Sequence, residues 1–127
     1  MNVDRRSPLV IALAKEFIGL VKRIEPSYRR AFWRFESEES RFGSNASFES
    51  SRGVLLVGAL KEGSTYAKLN SIGRQLWEAE ADQAKRFCVC LLVVDAAFDY
   101  ELKFERTDMS KWRISKLDGA SGIPEGL

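Results

Sequence analysis

The chain has 127 residues, 45% hydrophobic and 30% charged, with a net charge of +2, two cysteines and no histidine. That composition fits one globular domain around one main core, and so small a net charge gives no field that argues for nucleic acid or an anionic membrane surface. Without histidine the commonest general base is missing, as is every Ser-His or Cys-His nucleophile pair, so an enzyme is not expected.

The charge is unevenly spread. Residues 1–35 hold eight Lys/Arg against three Asp/Glu, and residues 36–108 hold nine against thirteen, so a basic opening precedes an acidic middle. The first residues, MNVDRRSPLVIALAKEF, have only a short apolar stretch, Leu9 to Ala14, before Lys15 and Glu16. A signal peptide is not expected, no run approaches the length of a membrane span, and the expected location is cytoplasmic.

In chain order, Val10, Leu13, Ala14, Phe17, Val21 and Ile24 recur at three and four residues, which predicts a helix over 8–24 with Ser7 as its cap and Pro26 beyond its end. From Tyr28 the period falls to two. Ala31, Trp33 and Phe35 alternate with Phe32, Arg34 and Glu36, and Ala46 and Phe48 alternate with Asn45, Ser47 and Glu49, which predicts two strands joined by a polar hairpin. After the turn at 50–53, VLLVGAL (54–60) predicts a third strand. Tyr66, Leu69, Ile72, Leu76 and Trp77 predict a second helix from about Gly63 to Lys85, in which Gly73 costs about 1 kcal/mol relative to alanine.

The run FCVCLLVV (87–94) contains both cysteines and predicts a strand buried on both faces. Asp95, Ala96 and Ala97 turn the chain into FDYELKFER, where Phe98, Tyr100, Leu102 and Phe104 alternate with charged residues. Residues 109–127 predict a short helix or strand over a sheet edge and then a loop, with residues 1–7 and 118–127 the less ordered termini. The fold class is therefore α+β over 1–127. Its elements run helix, three strands, helix, two strands and a short C-terminal element, forming a largely antiparallel five-stranded sheet with the helices on one face. The other face of 54–60 and 87–94 is apolar and needs cover from the tail, a second copy in a homodimer or a partner.

Little in the chain carries chemistry. A metal at Cys88 and Cys90 needs two further ligands, and there is neither a third cysteine nor a histidine, so no metal site is expected and the pair reads as core. Glu78, Glu80 and Asp82 fan over more than one helix face, as a solvated surface does. Arg29, Arg30 and Arg34 interleave with Phe32, Trp33 and Phe35 in the manner of a base-stacking sheet, but Asp99, Glu101 and Glu105 oppose phosphate, so nucleic acid is not the expected partner.

The ordering, with Ile24, Pro26 and Tyr28 at the helix-to-strand junction, Phe35 and Phe48 in the meander, Leu76 and Trp77 in the second helix and Tyr100 to Phe104 in the last strand, resembles the YezG-like immunity proteins of bacterial contact-dependent and related toxin systems. The resemblance implies a cytoplasmic protein that binds and occludes a cognate toxin, often a nuclease, without a cofactor. Members of that family tend to be strongly acidic, and this chain at +2 departs from them. The order of elements is also similar to that of type III secretion effector chaperones, the alternative reading. For an immunity protein the expected toxin-facing residues are Glu36, Glu38, Glu39, Glu49, Asp99, Glu101 and Glu105, with Phe32 or Trp112 as the anchor.

Overall fold

The computed structural model describes residues 7–80 and 82–127; the basic opening MNVDRR lies outside them. Helix α1 (Ser7–Ile24) is followed by strands β1 (Arg30–Ser37), β2 (Phe42–Ser50) and β3 (Gly53–Leu56), helix α2 (Gly63–Ala79), and strands β4 (Val89–Asp95) and β5 (Tyr100–Glu105). The protein is α+β, and its five strands form one sheet in the order β3-β2-β1-β4-β5, every neighbouring pair antiparallel.

Several boundaries differ from the sequence expectation. The third strand stops at Leu56; Val57 is still buried and bonded to the Ala46 carbonyl, but Gly58 to Leu60 turn outward. Helix α2 ends at Ala79, and a separate 3-10 turn, Gln83–Lys85, leads into β4. Phe98 lies outside β5, in the hairpin turn, with a left-handed φ of 70° and its ring beneath the Lys22 ammonium.

Both helices lie on one face of the sheet. From α1 come Leu13, Phe17, Leu20 and Val21, and from α2 Tyr66, Leu69, Leu76 and Trp77. They close over Ala31, Trp33 and Phe35 of β1, Ala46 and Phe48 of β2, and Cys90, Leu92 and Val94 of β4. Gly73 has a packing role at this contact: a Cβ there meets the Trp33 ring at 2.9 Å and the Phe35 ring at 3.0 Å. The glycine that weakens α2 locally lets it approach two stacked aromatic rings, whose centroids are 5.3 Å apart.

The second face is covered by the chain's own C-terminal segment, which crosses the sheet rather than capping an edge. Trp112 and Ile114 close over Phe32, Val89 and Leu91, with Cys88, Val93 and Ile123 around them. The segment has little regular structure, only a 3-10 turn at Leu117–Gly119, so its carbonyls need donors from elsewhere. The sheet supplies them. Arg34 donates to Lys111 O (2.8 Å) and Met109 O (2.6 Å), Asn45 to Ile114 O (3.0 Å) and Ser47 to Gly122 O (2.6 Å). Arg34 and Ser47 are thus buried polar residues with defined partners.

The opening of β4 also departs from simple alternation. Strict alternation places Phe87 with Val89 and Cys88 with Cys90, whereas Phe87 packs on the helix side and Cys88 beside Val89 on the tail side. The reason is a β-bulge: Val89 pairs with Glu105, and the Cys88 N–H donates to the same Glu105 carbonyl at 2.8 Å, so two residues oppose one. Phe87 thereby packs against Phe104, the two rings tilted at 44° with 5.1 Å between centroids.

Candidate functional site

The seven expected acidic residues do not form one patch. Glu36, Glu38, Glu39 and Glu105 lie at one end of the sheet, since Glu36, Val89 and Glu105 share a row. Glu49 and Asp99 lie at the other end, level with Arg30 and Asp95, and Glu101 is two rows in from there. Six residue steps along β1 separate the two end rows, roughly 20 Å along the strand.

Most of these carboxylates already face a cation. Glu36 pairs with Arg34, Glu38 with Arg41 (2.7 Å), Glu39 with Arg86 (4.0 Å), Glu49 with Arg30 (2.6 Å), Glu101 with Lys103 (3.8 Å) and Glu105 with Lys111 (4.0 Å). Glu105 is further tied by the backbone N–H groups of Thr107 and Asp108 and the Thr107 hydroxyl, which hold its carboxyl below the ordinary value. It serves the turn into the tail. The two expected anchors are also corrected: Phe32 (0% exposed) and Trp112 (7% exposed) pack against each other's cluster inside the protein. Trp112 holds a left-handed φ of 57°, and burying its ring offsets that backbone strain.

The tip of the β1–β2 hairpin has the geometry that the expected anchors lack. Glu38, Glu39, Ser40 and Arg41 make the turn, which the Glu38 N–H closes by donating to the Arg41 carbonyl (2.9 Å). Phe42, next in the chain, is 48% exposed and tilts against the buried Phe35 ring at 6.0 Å. Arg74 of α2 fixes this corner. Its guanidinium donates to Ser37 Oγ (2.8 Å), Glu38 O (2.5 Å) and Glu39 O (2.9 Å), and lies 5.1 Å from the Phe42 ring and 4.1 Å from Trp77.

Three shallow depressions lie near this corner, two of them lined by Phe42. One of about 260 Å³ runs among Glu36, Glu38, Arg41, Phe42, Gly43 and Met109. A second, of about 290 Å³, is lined by Arg34, Glu36, Gly43, Asn45, Arg113 and Ile114. The third, of about 440 Å³, lies on the α2 side between Phe42, Asn70, Arg74, Gln75 and Glu78. Phe42 and Arg74 are the residues that sequence reasoning missed. The available signal was an aromatic placed between a polar hairpin tip and the polar strand GSNAS, where no core is needed.

The two cysteines stay in the core. Cys90 is fully buried, and burial pushes its thiol pKa far up; Cys88 is half-buried, with its thiol raised first by burial and then by the Glu105 charge. Among the described residues no group of three or more His, Cys, Asp or Glu side chains converges as metal ligands, and no helix is long and apolar enough to cross a membrane. An α+β domain with a half-exposed aromatic corner, fixed by an arginine and rimmed by carboxylates, is the class these observations define. No protein-family model and no curated protein matches the chain.

Proposed function

We propose that the protein is a non-enzymatic binding module, an immunity protein that neutralises a cognate bacterial toxin in the cytoplasm by occluding it. The observation that carries this reading is the half-exposed Phe42, which lines two depressions, with Glu36, Glu38 and Glu78 in their walls. A rigid aromatic held by Arg74 offers apolar contact at small entropic cost, and such residues dominate binding energy at protein interfaces. The carboxylates around it steer a basic partner and set specificity more than affinity. Glu49 and Asp99 fall at the far end of the sheet, outside this surface.

The test is co-expression with the product of an adjacent toxin gene. A stable one-to-one complex that abolishes toxicity is expected, and Phe42→Ala weakens it by about 2 kcal/mol, roughly thirtyfold in Kd. A chain that protects against no neighbouring toxin and forms no complex sinks the reading. A complex unaffected by Phe42→Ala removes the hairpin tip from it. A homodimer that solubilises the N-terminal region of a secreted effector instead favours the chaperone class.

A further inference from the structure

Strand β3 covers only the second half of β2. It pairs with residues 47–50, and the Val57 N–H then donates to the Ala46 carbonyl (2.9 Å) before the chain turns away at Gly58. That bond makes 46/57, 48/55 and 50/53 the hydrogen-bonded pairs on the β3 side. The Glu38 N–H to Arg41 carbonyl bond makes 38/41, 36/43 and 34/45 those on the β1 side. Phe42 and Ser44 therefore aim their N–H and C=O groups outward, past the end of β3. Among the described residues no strand lies beside them, and no hydrogen bond reaches those groups.

We propose, resting on the Phe42 corner as a binding surface, that an extended segment of the partner protein adds here as a strand, antiparallel to residues 42–45 and in line with β3. At such an edge main-chain hydrogen bonds supply affinity, and pockets for alternate side chains supply specificity. Both pockets are present. Phe42 and Ser44 face the helix side, where Ser44 Oγ donates to Asn70 Oδ1 (2.6 Å) and the depression of about 440 Å³ lies between Phe42 and α2. Gly43 and Asn45 face the tail side, where the depression of about 290 Å³ reaches Arg113 and Ile114. Successive side chains of an added strand enter the two in turn.

The two depressions select different side chains. On the helix side the Phe42 ring and the Ala67 methyl offer apolar contact, while Arg74 is committed to Ser37 Oγ and the Glu38 and Glu39 carbonyls. The Glu78 carboxylate in that wall is 59% exposed and repels an acidic side chain. On the tail side Arg34 is committed to two carbonyls and Glu36. Arg113 is exposed, and among the described residues its guanidinium makes no hydrogen bond or ion pair. Gly43 leaves room for a neighbour, since a Cβ there meets nothing within 4 Å. The segment that fits carries apolar side chains opposite Phe42 and Ser44 and an acidic one opposite Gly43, within reach of Arg113.

Titration of the full chain with a blocked pentapeptide of alternating isoleucine and glutamate, followed by amide chemical shifts, tests it. Saturable shifts are expected at residues 42–45 and along the outer face of α2. Methylating the isoleucine nitrogens, which face β2, abolishes them; methylating the glutamate nitrogens, which face solvent, does not. Ser44→Pro removes an N–H that the ladder with β1 does not use, and weakens the peptide about tenfold. Arg113→Glu weakens it severalfold, and lysine in place of the peptide's glutamate restores it. The methylated peptides decide the matter even where a variant fails to fold. No saturable shift, shifts confined to another surface, or binding that survives isoleucine N-methylation overturns strand addition. If the peptide binds as expected but the chain neutralises no toxin, the edge stands and the immunity reading alone falls.

Discussion

The helix side and the tail side of the sheet bury the same strands by different means. On the helix side the cover has its own hydrogen-bonded ladder, so the contact is made by apolar side chains: Leu13, Phe17 and Leu20 from α1, Leu69 and Leu76 from α2. On the tail side the cover is irregular backbone, and the sheet must raise polar groups to meet it. Arg34, Asn45 and Ser47 do so, each occupying a position that a helix cover would leave to an apolar residue. The difference teaches that a polar residue on an inward strand position can mark the path of an irregular segment rather than a catalytic site.

The largest effect expected from breaking the helix side comes at Gly73. Valine there drives its methyl groups into the Trp33 and Phe35 rings, which already approach an ideal Cβ at 2.9 and 3.0 Å. Separation of α2 from the sheet costs about 3 kcal/mol or more. Alanine is the sharper probe, because it gains about 1 kcal/mol of helix propensity while making the same short contact. Net destabilisation by Gly73→Ala in urea unfolding shows that the close approach outweighs propensity; stabilisation shows that the rings yield.

On the tail side the corresponding break is at Arg34, whose side chain is 6% exposed. Arg34→Ala strands the Lys111 and Met109 carbonyls and leaves Glu36 without its ion pair, a loss of about 3 kcal/mol in the same unfolding assay. Arg34→Lys keeps the charge but not the fork that spans two carbonyls, so it recovers only part of the loss.

The fold class was legible because its signals are periodic. The α1 stripe, the alternations of β1 and β5 and the continuous run of β4 each state their own geometry. The tail was not legible in the same way, since Met109, Trp112 and Ile114 have no period and acquire a place only when Phe32 and Leu91 are already in a sheet. Phe32 could be placed on a strand but not beneath Trp112, so it was expected at a surface. The acidic residues were legible as charges and not as a patch, because their grouping depends on the register that puts Glu36 beside Glu105 and Glu49 level with Asp99. The bulge at Cys88 was hidden for a related reason: nothing in FCVCLLVV marks which residue is extra.

That bulge makes the two cysteines reporters of the two covers. Cys88 belongs to the tail side and is half-buried, while Cys90 is enclosed on the helix side. In the native protein a thiol reagent is expected to modify Cys88 first and Cys90 only at the rate of global opening. Trp112→Ala loosens the tail and speeds Cys88 severalfold, leaving Cys90 slow in comparison. Peptide mapping of the labelled thiols decides it, and equal acceleration of both shows that the two covers open as one unit.

The smallest expected effect lies at the rim of the tail side, where Arg30 lies over the Phe32 ring at 5.2 Å and donates twice to Glu49, at 2.6 and 2.9 Å. Those hydrogen bonds hold the Glu49 carboxyl below the ordinary carboxylate value. A depressed folded-state pKa favours the charged form in the native protein, so the contribution is fully present above the unfolded value of about 4.3. It is lost as the pH falls through the lower folded value. The Arg30 side chain is 45% exposed, and screening keeps the contribution to at most about 1 kcal/mol. Glu49→Gln should therefore lower stability slightly at pH 7, and the gap from wild type should close as the pH drops below about 4. A gap independent of pH assigns the effect to packing over Phe32 rather than to charge, and makes this rim resemble the helix side more than the tail side.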